Sequence, residues 1–100
     1  MITAKPIEIA GKIALGIEVQ LPKTTLLAVT TEKGYIMCGA LDVGLLNDKL
    51  HARKILAGRA VGVRTLDELL DAPLESVTHA AEELGVTAGT IGREAVAKMF

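Results

Sequence analysis

Apolar and polar residues alternate strictly along the first part of the chain, from Ile7 to Leu21. A period of two is typical of a β-strand with one face toward the core and one toward water. One unbroken strand of this length would be unusually long. We therefore predict a hairpin that turns at Ala10-Gly11-Lys12, with Gly11 at positive φ in a bulged three-residue turn. This hairpin would keep every apolar side chain on one face.

The middle of the chain predicts a second hairpin and then a parallel crossover unit. Two apolar segments, residues 25–30 and 35–41, flank a turn at residues 32–34 and form the hairpin. Residues 42–56 have helical spacing, and a further apolar segment follows at residues 58–64. A strand, a helix and a strand in this order are typical of a parallel pair whose strands are buried on both faces.

The last third of the chain predicts three helices. Thr65 and Glu68 have the spacing of a capping box, which starts a short helix. A second helix is predicted from Pro73 to a C-terminal glycine, Gly85, and a third over residues 90–99. The fold class is therefore α/β (α+β): one domain over residues 1–100, with a mixed sheet of antiparallel hairpins, one parallel β-α-β crossover and a helical C-terminal part.

The composition adds an expectation about assembly. Half of the 100 residues are apolar, whereas only two are aromatic. A chain of this length buries about 60–70% of its unfolded surface, so it carries more apolar surface than its own core can take. Large exposed apolar patches usually mark interaction sites, and we therefore expect a homo-oligomer.

Cysteine usage and hydropathy bear on the compartment. The single cysteine, Cys38, excludes an intrachain disulfide and fits a reducing cytoplasm. The N-terminus lacks the features of a signal peptide, and no apolar run approaches the roughly 20 residues of a membrane span. We expect a cytoplasmic protein with no membrane partner.

Charge and one local motif bear on nucleic-acid binding. The net charge of −1 gives no overall attraction to nucleic acid. Residues 80–95 are similar to a helix-turn-helix, but Glu94 stands where the recognition helix should present an apolar residue. Glu82 and Glu83 in the preceding helix would repel phosphate. We do not expect nucleic-acid binding, and a DNA-binding regulator is the least favoured alternative.

Four segments of the sequence carry a resemblance that covers nearly the whole chain. They are Tyr35-Ile-Met-Cys-Gly-Ala-Leu41, Ala57-Gly-Arg-Ala-Val-Gly-Val-Arg-Thr-Leu-Asp-Glu-Leu-Leu70, Ala72-Pro-Leu-Glu75 and Gly92-Arg-Glu-Ala95. In this order they resemble the YunC-like family of small bacterial and archaeal proteins, a domain of unknown function. The resemblance implies a compact α/β domain with a mixed sheet, and it implies no reaction and no site residues.

The loop after the first parallel strand is the first candidate for binding. Gly39 and Asp42 lie between the carboxyl end of a predicted strand and the start of a predicted helix, where backbone amides and the helix dipole favour an anion. Asp42 as N-cap would compete for those amides. Cys38 precedes the loop, and we interpret it as a small buried hydrophobe or, alternatively, as a nucleophile.

Two arginines complete the candidate set. Arg59 and Arg64 would point to opposite faces of the second parallel strand. An arginine beside buried residues normally has a carboxylate partner, for which Asp42, Asp67 and Glu68 are available. Arg64 could instead clamp an anionic ligand near the glycine loop.

The sequence thus favours an oligomeric module that binds a small anionic ligand or a protein partner without catalysis of its own. The candidate ligand-binding residues are Cys38, Gly39, Asp42, Arg59 and Arg64. The alternative is a small enzyme that uses Cys38, or Asp42 with Arg64. No cofactor is expected, and no metal, because His51 and His79 have no ligand-spaced companions.

Overall fold

The structure is a computed structural model, and it describes residues 1–39 and 54–100. Within these ranges the chain forms strands β1 to β6 and helices α1 to α3. The strands are Ile2–Ile9 (β1), Lys12–Leu21 (β2), Thr24–Thr30 (β3), Gly34–Met37 (β4), Leu56–Arg59 (β5) and Ser76–Val77 (β6). The helices are Leu66–Asp71 (α1), His79–Glu83 (α2) and Gly92–Ala97 (α3).

The six strands form one mixed sheet in the order β1-β2-β3-β4-β5-β6. Every neighbouring pair is antiparallel except β4 and β5, which run parallel with Gly34 opposite Leu56 and Met37 opposite Arg59. The predicted fold class, both hairpins and the parallel pair are confirmed.

The ends of the parallel strands differ from the prediction. β4 stops at Met37, four residues before the predicted end, and β5 covers Leu56–Arg59 instead of residues 58–64. The helix predicted at residues 42–56 falls largely on residues 40–53, outside the described ranges. Its predicted end is wrong, because Leu56 already lies in β5.

The turn between β1 and β2 is shorter than predicted. Ile9 pairs directly with Lys12, so the turn contains only Ala10 and Gly11, with φ of 52° and 80°. Two central residues at positive φ are typical of a type I′ turn, whose twist matches that of the flanking strands. The predicted bulged three-residue turn is therefore wrong, although the position of the turn and the positive φ of Gly11 are confirmed.

The shorter turn changes which side chains share a face. Ile7 lies opposite Ala14, so the small residues of β2 share the buried face with the end of β1. Ile13 and Leu15 point the other way and are 62% and 41% exposed, whereas Ala14 is 2% exposed. A shift of one residue in a β-pair moves a whole set of side chains to the other face. The prediction that all apolar residues of the hairpin share one face is wrong.

Close packing explains why the small residues of β2 face inward. A Cβ added to Gly16 would lie 2.5 Å from Cδ1 of Ile7 and 3.1 Å from Cδ1 of Leu66. Leu66 begins α1, so a larger side chain at position 16 would displace the ends of the Ile7 and Leu66 side chains.

The core lies between the inward face of the sheet and the three helices. Its largest fully buried side chains come from the central strands and from the helical part of the chain. They are Leu27, Val29, Ile36, Leu69, Leu70, Val86, Val96 and Met99.

The capping box that starts α1 is confirmed with one difference. The Thr65 hydroxyl accepts the N–H of Glu68 at 3.1 Å. The Glu68 carboxylate accepts the N–H of Arg64 at 2.7 Å, one residue earlier than a standard capping box would use.

The helix predicted from Pro73 is wrong over its first half. Ser76–Val77 instead joins the sheet as β6, and α2 begins at His79 with Thr78 as its N-cap. The open edge of β5 explains the difference. The N–H of Glu75 donates to the carbonyl oxygen of Arg59 at 2.6 Å and so satisfies an acceptor on that edge. Gly85, at φ 93°, follows α2 as predicted.

Candidate functional site

Cys38 and Gly39 follow β4 at its carboxyl end. Cys38 is 7% exposed. Its sulfur accepts the N–H of Leu27 at 3.4 Å, and its own N–H bonds to the carbonyl of Leu27 at 3.1 Å. The side chain therefore packs as a small buried hydrophobe that also satisfies one backbone donor of β3.

Arg59 connects the ends of three strands. Its Nε and Nη2 donate to the carbonyl oxygen of Gly39 at 3.3 and 3.1 Å, and its Nη1 donates to Oε1 of Glu75 at 3.2 Å. The expected carboxylate partner is present, but it is Glu75, from the segment that leads into β6, and not Asp67 or Glu68. The guanidinium thus braces the carboxyl ends of β4 and β5 against β6.

Glu75 is itself held by two donors. Ser76 Oγ donates to Glu75 Oε1 at 2.6 Å, the oxygen that also accepts from Arg59. The Ser76 hydrogen bond and, to a smaller extent, the positive charge of Arg59 lower the pKa of Glu75 below its ordinary value, and partial desolvation opposes them. This carboxylate is therefore kept charged as part of the brace.

Arg64 lies apart from this brace. It follows β5 in irregular backbone and is exposed, and its side chain forms no ion pair or hydrogen bond within residues 1–39 and 54–100. The structure thus brings Cys38, Gly39 and Arg59 together and places Arg64 elsewhere. Asp42, the remaining predicted residue, lies outside the described residues.

Arg64 instead lines a cavity that sequence reasoning missed. We call it the turn cavity: it has a volume of about 380 Å³ and is lined by Lys23, Thr24, Thr25, Val63 and Arg64. Lys23 occupies the second position of the two-residue turn between β2 and β3, at φ 62°. A turn with positive φ at its second position favours glycine at that position. The lysine that follows Pro22 is therefore an unusual turn residue, and this is visible in the sequence.

A second feature is an apolar surface on the side of the sheet opposite α1. We call it the outer face of the hairpin and define it by its four most exposed large side chains. They are Ile2 (73% exposed), Ile13 (62%), Leu15 (41%) and Leu21 (47%). Contiguous apolar surface of this kind usually marks an interaction site.

The segment that resembles a helix-turn-helix is used for packing. α3 has six residues, of which Gly92, Ala95 and Val96 are buried. Its neighbouring cations have partners, because Arg93 pairs with Asp71 at 3.3 Å and Lys98 donates to the carbonyl of Gly85 at 3.1 Å. These contacts weigh against a helix that reads DNA, and the absence of nucleic-acid binding stays a prediction.

The described residues also bear on membranes and metals. Within the part of the chain that the structure describes, no helix is both long enough and apolar enough to cross a membrane. No group of three or more His, Cys, Asp or Glu side chains in residues 1–39 and 54–100 is arranged to hold a metal ion.

Comparison with known proteins extends over the whole chain. The family model described as a domain of unknown function, DUF1805, matches residues 37–99. An uncharacterized protein, YunC, from Bacillus subtilis (strain 168) is 62% identical over 100 residues, which cover all of this chain and 99% of the relative. The crystal structure of a protein of unknown function, TA1206 from Thermoplasma acidophilum, is similar with a TM-score of 0.89 and 32% identity, over all of this chain and 94% of that one.

Proposed function

The chain belongs to the DUF1805 family, and from the geometry of its described residues we propose that it is a homo-oligomeric binding module of the cytoplasm. The observation that carries the proposal is the exposure of four large apolar side chains on the outer face of the hairpin, Ile2, Ile13, Leu15 and Leu21. The partner that we propose for this face is a second copy of the chain.

Burial of this face supplies a large part of the free energy that association requires. Full burial of one Ile or Leu side chain contributes about 1.5–3 kcal/mol. In a symmetric dimer both copies would bury the exposed area of these four side chains. This burial would contribute on the order of 8 kcal/mol, before the free-energy costs of association are subtracted. The loss of translational and rotational freedom costs about 4–15 kcal/mol, so neighbouring half-buried residues such as Ile17 and Val19 must contribute as well.

The open edge of β1 favours contact through the face instead of the edge. Met1 and Gln20 exchange backbone hydrogen bonds at 2.8 and 3.3 Å, so the even-numbered residues of β1 direct their N–H groups to the open edge. Pro6 is one of these residues and has no N–H to donate. A second strand could not pair along this edge without a break, which leaves sheet-on-sheet packing as the favoured mode.

A second copy fits this face because the face is complementary to itself. Two identical apolar sheet surfaces can pack across a twofold axis, and the one charged residue that β1 and β2 place on this face, Glu8 opposite Ile13, lies at the turn end of the hairpin. The cytoplasmic part of the proposal is supported by Cys38, the single cysteine of the sequence, which is buried and unpaired as expected in a reducing compartment.

Light scattering after size-exclusion chromatography tests the proposal. At micromolar concentration the parent protein should have at least twice the mass of one 10.5 kDa chain. Leu15→Glu should shift the mass toward the monomer, because it would bury a carboxylate of each copy in the interface.

Leu84→Glu is the matched control. Leu84 is 43% exposed, against 41% for Leu15, but it lies at the end of α2 and outside the outer face. This variant should keep the parent mass. A monomeric parent, or a Leu15→Glu protein that keeps the parent mass, would overturn the proposal.

A further inference from the structure

The turn cavity is lined by two cationic residues and two threonines, of which only one can direct its hydroxyl inward, because Thr24 and Thr25 are consecutive residues of β3. Lys23 and Arg64 line it together with Thr24, Thr25 and Val63, and no acidic residue is among these five. Its volume of about 380 Å³ falls within the range of cavities that hold small ligands, about 300–1,000 Å³.

The polar side-chain groups of the lining residues have no hydrogen-bond or ion-pair partner within the part of the chain that the structure describes. The ion pairs there join Arg59 to Glu75 and Arg93 to Asp71, and neither includes Lys23 or Arg64. No side-chain hydrogen bond in residues 1–39 and 54–100 uses the hydroxyl of Thr24 or Thr25. Both cationic residues are exposed, so their positive charges are available to attract a bound anion.

The backbone fixes the positions from which both cations extend. Lys23 is held at φ 62° by the two-residue turn between Leu21 and Thr24. Arg64 is held because its N–H donates to the Glu68 carboxylate at 2.7 Å, next to the N-cap of α1. The two side chains thus start from fixed backbone, which lowers the entropic cost of closing them on a ligand.

Glu68 contacts the backbone of Arg64, a lining residue of the cavity, and its negative charge limits the net charge of the site. Its Oε1 accepts the backbone N–H of Arg64 and not the guanidinium, so the five N–H donors of that side chain stay available. The negative charge of Glu68 partly offsets the two cations. The small net positive charge that remains suits a small anion better than a polyanion.

From these observations we propose that the turn cavity binds the phosphate group of a small phosphorylated ligand. The arginine fork, the lysine ammonium and one threonine hydroxyl together supply more donors than the two oxygens of one carboxylate can accept. The terminal oxygens of a phosphate monoester can accept hydrogen bonds from these donors. The turn cavity adjoins the outer face of the hairpin at Leu21 but shares none of its four defining residues, and it extends the module proposal by naming the class of ligand.

Two-dimensional NMR of the full-length protein tests the inference with inorganic phosphate as the probe. At constant ionic strength, phosphate should shift the amide signals of Thr24, Thr25, Val63 and Arg64 in a saturable way. Lys23→Asn and Arg64→Gln should each weaken this binding by about tenfold or more, since each removes a charge-assisted contact. Asparagine tolerates the positive φ of position 23, so the first variant should fold normally.

Three comparisons make the outcome decisive. Lys5→Gln removes an exposed cation on β1, outside the cavity, and should leave phosphate binding unchanged. Glycerol 3-phosphate should bind at the same amides, and succinate should bind more weakly. The absence of a saturable shift, tighter binding of succinate, or an equal loss in Lys5→Gln would overturn the inference.

Leu15→Glu distinguishes this inference from the proposal of self-association. It alters the outer face and none of the residues that line the turn cavity. It should therefore bind phosphate like the parent even when its mass has changed.

Discussion

Thr78 is the buried polar residue among those that the structure describes, and its hydroxyl makes three hydrogen bonds. It donates to the carbonyl of Ile55 at 2.6 Å and accepts from the N–H groups of Ala57 and Ala81 at 3.2 and 3.3 Å. One side chain thus caps α2 and fastens the start of β5. Sequence reasoning missed this role, because it placed residue 78 inside a helix that began at Pro73.

Thr78→Val should lower the free energy of unfolding by about 2–4 kcal/mol, because the shape is kept while buried backbone groups lose their partner. Urea denaturation followed by circular dichroism measures the change. Thr65→Val is the control, since Thr65 caps α1 at an exposed position and should cost only about 1 kcal/mol. Equal costs for the two variants would contradict this account of Thr78.

Cys38 should react slowly with a thiol reagent in the native protein. The side chain is 7% exposed and its sulfur accepts a backbone N–H, so reaction requires local opening of the sheet. We expect labelling at neutral pH to be at least about 100-fold slower than in the urea-unfolded chain. Fast labelling of the native protein would contradict this and would favour the alternative of a small enzyme.

The residues of the candidate site were predictable only in part. The sequence indicated that Arg59 needs a carboxylate, but the partner, Glu75, is 16 residues away and meets Arg59 only because Ser76–Val77 pairs with β5. In the same way, nothing local joins Lys23 to Arg64. Contacts between distant segments depend on strand order and register, which local patterns do not encode.

At the scale of elements, α3 packs against α1 through a glycine. A Cβ added to Gly92 would overlap the carbonyl oxygen of Leu69 and lie 3.0 Å from Cδ1 of Ile36. The helix can therefore approach both α1 and the sheet only with glycine at this position. This explains why a residue with poor helix propensity opens α3.

Gly92→Ala should destabilise the protein by about 1–3 kcal/mol through overpacking, although alanine is the better helix former. The midpoint of urea denaturation measures the loss. Gly39→Ala serves as the control, because the nearest atoms to its added Cβ lie at 3.7 Å, an ordinary contact distance. Its stability should stay within about 0.5 kcal/mol of the parent, and a stable Gly92→Ala protein would show that α3 can shift away from α1.

In the β1–β2 hairpin, the number of turn residues decides which side chains of β2 face the helices. With two residues in the turn, Ile13 and Leu15 face outward and Ala14 and Gly16 face the helices. A third turn residue would reverse this arrangement. The strictly alternating pattern predicted which side chains share a face of β2, but not which face the helices cover.

For the whole molecule, the two proposed functions use neighbouring surfaces, which adjoin where Leu21 of the outer face pairs with Thr24 of the turn cavity. Leu15 and Lys23 lie eight positions apart along and beyond β2, which corresponds to roughly 26 Å in an extended strand. The outer face is apolar, whereas the turn cavity is basic. Self-association and phosphate binding can therefore be tested independently with single substitutions.

The features that depend on neighbours along the chain could be predicted from the sequence. These are the position of both hairpins, the parallel order of β4 and β5, the Thr65 cap of α1 and the glycine after α2. Each follows from strand periodicity, turn chemistry or capping, which act over a few residues. The resemblance to the family is also a property of the sequence alone.

Other features could be read only from the folded chain: which apolar face of the hairpin is buried, where β4 and β5 end, and that Ser76–Val77 forms a strand instead of a helix. These outcomes depend on packing against α1 and on satisfying the open edge of β5, which involve residues far apart in sequence. Burial and backbone hydrogen bonding override local propensity where the two conflict. For the same reason the partner of Arg59 and the turn cavity became visible only in the folded chain.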